Sequence, residues 1–407
     1  MSIKTVSYTK RSLAFRPHSR FVCLSVLGLL ALGFDFGALQ GLTPALLGAS
    51  SCQAQATKQP AAAAKIPVRL GAVLPLVGNL ASYGSLIRQG SELAEKDLLA
   101  QGVDIKYTPE NAPFSGQEVI TAYRKLVTVD KIQALAGNFS NVALLSLANE
   151  FNKTKTPAMH TAAMDDQILA ASKGWIFSTN TRVQDEAEAL AKYAYDSGAR
   201  DAAVITIQTN FGEAYRKFFV EKFKALGGKI VADESYQLTD SDYRSQVVRI
   251  KQKSPDILMG ATFGHFLGLA LKQAREAGIT CPFISVYESE DQSVLDAAGG
   301  YAEGLRYFVS YDPRPGTKTE AFRKRFKETY GIEPGTFALN SYDATMLLAD
   351  GIQACKADAT CLKDYLLKVK DYEGVSGKLS INPDGSANKQ FYLREIKSGA
   401  FVNVEAK

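Results

Sequence analysis

Gly71–Gly84, GAVLPLVGNLASYG, decides the fold. Leu70, Ala72, Val73, Leu74 and Leu76 make the apolar run of a strand covered on both faces. An irregular Pro/Gly/Asn turn follows. The segment Ser85–Gln101 then carries Ile87, Gly90, Ala94 and Leu98 at helical spacing. A strand that feeds a helix through a glycine-containing turn presents that turn at the carboxyl end of a sheet. Open α/β sheets bind ligands there.

The pattern repeats down the chain. Strand-like runs at 68–76, 104–109, 132–138, 157–162 and 175–180 alternate with helix-like runs at 85–101, 116–130 and 141–153. A second series places strands near 202–208, 229–235, 256–262 and 281–287, with helices near 184–197, 212–226, 242–253, 264–277 and 291–298. Tyr215, Phe219, Phe223 and Leu226 form one apolar stripe on the helix at 212–226. Alternation on this scale gives parallel sheets with right-handed crossovers. The expected fold class is therefore α/β, with two Rossmann-like lobes. Helices near 318–330, 336–354 and 359–371 come next, and the chain closes in hairpin-like β structure. Its Asn382-Pro383-Asp384-Gly385 is a strong turn signal.

Length and charge agree with this reading. The 407 residues exceed one ordinary core. The formal charge of +5 is misleading, because residues 1–56 hold Lys4, Lys10, Arg11, Arg16 and Arg20 against Asp35 alone. The rest carries only +1, which argues against a nucleic-acid partner. The basic start precedes Phe21–Phe34, FVCLSVLGLLALGF, too short to cross a bilayer and suited to a signal core. Ala54-Gln55-Ala56 offers a small-x-small cleavage site, so 1–56 is expected to be a signal peptide, 57–65 a linker, and the mature protein periplasmic. Cys52 offers an alternative, lipid anchoring. Cys355 and Cys361 suit a disulfide in an oxidising compartment. Cys281 opens the apolar run CPFISVY and is expected to be an inert core thiol.

The catalytic vocabulary is thin. The sequence has no nucleophile elbow, Walker loop or metalloprotease helix. His160 and His265 are the only histidines after residue 56, and no Cys/His cluster has metal spacing. We expect no enzyme, no cofactor and no metal site. Gly260, Gly264 and Gly268 are read as close packing where strand meets helix. Strand ends instead supply Tyr83, Asn138, Ser140, Asn141, Thr161, Asp165, Thr209, Asn210, Phe211, Thr262, Phe263, Tyr287 and Glu288. Hydroxyls, amides, aromatic faces and a few carboxylates suit a small zwitterion with an apolar tail. Any one of these residues could equally be a helix cap.

With these residues in place, the chain resembles the periplasmic leucine/isoleucine/valine-binding family over roughly 66–400. The markers are PLVGNLASYG with Arg88-Gln89-Gly90, AGNFSNVALLSLANEF followed by TPAMHTAA, QTNFGEAYRKFF, and MGATFGHFLGLALKQAREAGI leading to AEGL. The resemblance implies a type I, Venus-flytrap receptor that closes on its ligand and docks on an ABC permease as a monomer. It implies crossings between lobes near 180, 311 and 375. One lobe is then 66–180 with 312–374, and the other 181–311 with 375–407. It also implies that Ser140 or Asn141, then Ala162, Ala163 and Asp165, hold the ligand's carboxylate. Glu288, with Tyr287 competing for the acidic position, would hold its ammonium, and Tyr83, Phe211 and Phe263 would form aromatic walls. Asp165 stands where a Thr would be expected, Phe211 and Phe263 lack hydroxyls often present, and Pro113 and Ser140 replace a first-lobe disulfide of some relatives. A sensory module of the same fold, for an amide or small carboxylate, is the alternative.

Overall fold

The computed structural model describes residues 66–78, 80–112 and 116–404. The expected signal peptide and linker, and Cys23, Cys52 and Pro113, lie outside them. The first sheet takes its five parallel strands from β1 (Val68–Leu74), β2 (Ile105–Asn111), β3 (Ala134–Asn138), β4 (Ala158–His160) and β5 (Ile176–Ser178). Their order is β2-β1-β3-β4-β5. Helices α1 (Ala81–Ala100), α2 (Gln117–Thr128), α3 (Asn141–Thr154) and α4 (Asp166–Ser172) connect them. The strands are short, and all but the edge strand β2 are almost wholly buried, as parallel strands covered on both faces must be.

After β5 the chain enters α5 (Val183–Asp196). It continues through β6 (Asp201–Ile207), α6 (Asn210–Ala225), β7 (Lys229–Tyr236), α7 (Arg244–Gln252), β8 (Ile257–Ala261), α8 (Gly264–Glu276), β9 (Phe283–Ser285), α9 (Gln292–Ala298) and β10 (Arg306–Val309). Next come α10 (Lys318–Tyr330), α11 (Gly335–Ala354) and α12 (Ala359–Leu367), then β11 (Tyr372–Gly374), β12 (Gly377–Ile381), β13 (Ala387–Asn388), β14 (Tyr392–Lys397) and β15 (Ala400–Asn403). The second sheet runs β15-β14-β10-β9-β8-β6-β7, with β14 and β15 antiparallel. The fold is thus α/β with two Rossmann-like lobes. The predicted stripe of α6 is its inner face: Tyr215, Phe219 and Phe223 are fully buried, each removal from water worth roughly 1.5–3 kcal/mol. Leu226, the last of the stripe, is only half-buried.

Several element boundaries differ from expectation. Helix α1 starts at Ala81 rather than Ser85, so Tyr83 and Gly84 belong to its first turn. Gly84 makes this possible, because a Cβ there would lie 2.2 Å from the Pro75 carbonyl oxygen. Helix α12 stops at Leu367, and Val369 O instead accepts from Ile381 N of β12. Gly260 and Gly268 are packing glycines as expected: a Cβ would meet the Phe283 ring at 2.8 Å and the Val294 carbonyl at 2.6 Å.

The connections between the sheets are tied to one another. Ser310 Oγ donates to Asn180 Oδ1 at 2.9 Å. The buried Lys389 ammonium group reaches Thr179 O, Asn340 Oδ1 and Ser376 Oγ at 3.0–3.1 Å. Burial pushes its pKa down to about 7, partly opposed by Asp343. The Asp343 carboxylate in turn accepts from the backbone N–H groups of Val375 and Ser376. Glu290 Oε1 lies 2.9 Å from both Arg323 of α10 and Arg394 of β14. Cys355 and Cys361 form a disulfide across the α11–α12 turn. Cys281 is free and half-buried rather than a core residue, and burial raises its thiol's pKa.

Candidate functional site

A cavity of about 530 Å³ opens where the carboxyl ends of both sheets meet. Each wall is built by the same local device: a strand ends, a polar residue caps the following helix, and the cap sits at the rim. On the first-lobe side Ser140 caps α3, its Oγ accepting from Ala143 N at 3.1 Å, while Ser140 N donates to Asn138 Oδ1. Asn141 donates from Nδ2 to Ala163 O at 3.1 Å, and its Oδ1 has no hydrogen-bond partner. The loop Ala162–Ala163 follows β4 and is anchored by Thr161, which hydrogen-bonds Asn138 O through both N and Oγ1. On the second-lobe side Thr209 caps α6 by accepting from Gly212 N. Asn210, Phe211, Phe263 and Phe266 then face the cavity.

The acidic end is the most distinctive part. Tyr287 and Glu288 both line the cavity, so neither displaces the other. Tyr287 Oη accepts from Ala163 N at 3.3 Å and donates to Glu288 Oε1 at 3.1 Å. Glu288 Oε2 is buried with no hydrogen-bond partner. Burial pushes the Glu288 pKa well above the ordinary carboxylate range, with Glu186 and Asp291 adding to the rise. Behind it Glu186 accepts from Tyr215 Oη at 2.6 Å and from Tyr287 N at 2.7 Å. Burial raises Glu186 to about 8. His160, in β4, is held down at about 3 by burial and is uncharged at neutral pH.

Eight of the ten expected ligand residues therefore converge: Ser140, Asn141, Ala162, Ala163, Phe211, Phe263, Tyr287 and Glu288. Two do not line the cavity. Tyr83 is buried behind the wall, stacked on Phe139 with ring centroids 5.0 Å apart and edge-on to Phe263 at 6.4 Å. It fell behind the wall because α1 begins a turn earlier than its sequence suggested. Asp165 is the N-cap of α4, accepting from Gln167 N at 2.8 Å. Its carboxylate thus serves a helix start, the other role open to an Asp in that place. The Ala163 N–H, expected to meet a ligand carboxylate, is engaged by Tyr287.

Sequence reasoning missed several lining residues. Phe139 precedes the Ser140 cap, and Phe266 sits in the first turn of α8 after Phe263; both were legible as apolar neighbours of chosen residues. Leu80 and Leu238 lie in polar loop segments with no periodic signal. Among the described residues no lysine, arginine or histidine lines the cavity. No group of metal-ligating side chains is found there or elsewhere among them.

Two parallel-stranded lobes sharing one cavity at their strand ends are the architecture of a two-lobed solute receptor. Residues 67–400 match the periplasmic binding protein family, and the chain belongs to it. It is 23% identical to the Leu/Ile/Val-binding protein homolog 1 of Brucella suis, over 80% of this chain and 89% of that one. The branched-chain amino acid transporter substrate binding protein of Streptococcus pneumoniae, solved with isoleucine, has the same fold. It aligns at a TM-score of 0.76 with 24% identity, over 82% of this chain and 97% of that one. A solute binding protein of an ABC transporter from R. palustris, solved with benzoate, aligns at 0.75 with 23% identity, over 83% and 95%.

Proposed function

We propose that the protein is an extracytoplasmic receptor that captures a small apolar α-amino acid between its lobes and delivers it to an ABC permease. The observation that carries this is Glu288 Oε2: a buried, unpartnered carboxyl oxygen facing a largely apolar cavity. An ammonium group would give that oxygen a partner and restore its charge. Ser140, at the start of α3, and the half-buried Asn141 are our choice for the carboxylate, since a helix start gathers donors for an anion. The Streptococcus pneumoniae relative in complex with isoleucine supports the amino-acid reading.

The lobes we assign are 66–180 with 312–388 and 181–311 with the segment from 389 onward. We place the third crossing nearer 389 than 375, because Gly385 O accepts from Ser178 N of β5 and β12 bonds back to Val369. Export of the mature chain to the periplasm and a monomeric state belong to the same reading. No described helix is long and apolar enough to cross a membrane.

One observation favours a second reading. A Glu288 that stays protonated can donate to a carboxylate, and the R. palustris relative was solved with benzoate. A small-carboxylate or amide receptor, for transport or sensing, would use the cavity that way. Titration calorimetry of the mature protein against matched amino acids, their des-amino acids and their amides separates the two. We expect the amino acids alone to bind tightly. Tight binding of the des-amino acids, unaffected by Glu288→Gln, overturns the ammonium site in favour of the second reading.

A further inference from the structure

The cavity has one chemical end and one greasy wall, and the wall is made of rings. Phe211 and Phe263 meet edge to face, with centroids 5.6 Å apart and planes at 81°. Phe263 and Phe266 repeat the arrangement at 5.7 Å and 85°. Phe139 closes the opposite side, linked to Phe263 through the buried Tyr83. Leu80 and Leu238 complete the surface. Phe139, Phe211 and Phe263 remain only half-buried, so each keeps ring surface that the protein itself does not cover.

We propose that the ligand carries an aromatic ring, seated among Phe139, Phe211, Phe263 and Phe266, and that these residues select it over branched aliphatic tails. The inference rests on reading this cavity as the ligand site and deepens that reading. Perpendicular rings leave a slot whose walls alternate ring edge and ring face. A further ring continues that alternation, because its electron-rich face meets the positive edges of its neighbours. A branched aliphatic tail fills space without that match and covers less of the exposed ring surface. The cavity's 530 Å³ lies inside the range of about 300–1,000 Å³ usual for drug-sized ligands, so room for a ring is not limiting. Thr209, the hydroxyl residue beside the rings, uses its Oγ1 as acceptor to cap α6.

The test is calorimetry with two pairs that differ only in the tail: L-phenylalanine against L-leucine, and 3-phenylpropanoate against 4-methylpentanoate. In whichever pair binds, the ring member should bind about ten-fold tighter. Equal or tighter binding of the aliphatic member overturns the proposal, as does failure of all four compounds to bind. Binding confined to the two acids removes the amino-acid reading, and the acid pair alone then decides the ring. Phe263→Leu and Phe211→Leu keep side-chain bulk and should each draw the ring-to-aliphatic ratio toward one. An unchanged ratio in both variants puts the ring elsewhere and overturns the assignment.

Discussion

The two walls of the cavity face one ligand space with different chemistry. The first-lobe wall sets small polar groups, a serine cap and an asparagine, and two loop alanines beside the apolar Leu80, Phe139 and Val142. The second-lobe wall offers bulky side chains: three phenylalanines, a tyrosine and a buried glutamate. Backbone donors at a helix start hold any suitable head group and tolerate many tails. Side chains of that size and charge discriminate. The contrast assigns the carboxylate grip to the first wall and the ammonium grip with most of the choice of tail to the second, and substitutions on each side should separate them.

The largest effect is expected at Glu288. Glu288→Ala should weaken binding of an amino acid by roughly 2–5 kcal/mol, since it strands a desolvated ammonium. Calorimetry reads this directly, and an unchanged dissociation constant would break the division of roles. Next is Lys389, which serves neither wall but ties the connections between them. Lys389→Met leaves three buried acceptors without a donor and should lower unfolding stability by about 3 kcal/mol. Denaturant titration measures it.

A third test concerns the acid layer behind the second wall. Folding raises the Glu186 pKa from the ordinary carboxylate range to about 8. The folded chain therefore holds a proton that the unfolded chain has lost between those limits. This contribution is full at acid pH and is lost as pH rises through about 8. Glu186→Gln cannot ionise, and should flatten the fall in stability between about pH 5 and pH 8 by roughly 3–4 kcal/mol. An identical pH profile for parent and variant would mean that Glu186 does not carry the linkage. The smallest effect belongs to the first wall. Ser140→Ala removes one helix cap and should cost about 1 kcal/mol of stability. It should weaken all bound ligands alike. If it changes their ranking, the first wall also chooses.

How much of this the sequence carried varies with the kind of signal. Long periodic runs such as 210–225 and 318–330 were legible because their apolar stripes repeat over several turns. The strand at Arg306–Val309 was not, being four residues long with only alternate positions buried. The seven-residue α4 escaped for the same reason of length. At the site, strand-end residues were found because a parallel sheet must present them at one edge. Asp165 and Tyr83 were misplaced by local matters that spacing does not reveal: a helix cap in one case, and the first turn of α1 in the other. Leu238, in an exposed loop, could only be found by seeing what it faces.

The glycine in the first turn of α1 has a twin. At Gly212, in the first turn of α6, a Cβ would lie 2.1 Å from the Ile207 carbonyl, much as one at Gly84 would crowd Pro75. Each lobe thus begins its first cavity-flanking helix pressed directly onto the end of the strand before it. In a saturation library of this chain, codons for any side chain at positions 84 and 212 should vanish under selection for folded protein. Position 300, with nothing within 4 Å of an added Cβ, should accept alanine freely. Two silent columns, one in each half of the gene, would mark where the architecture allows no rewriting.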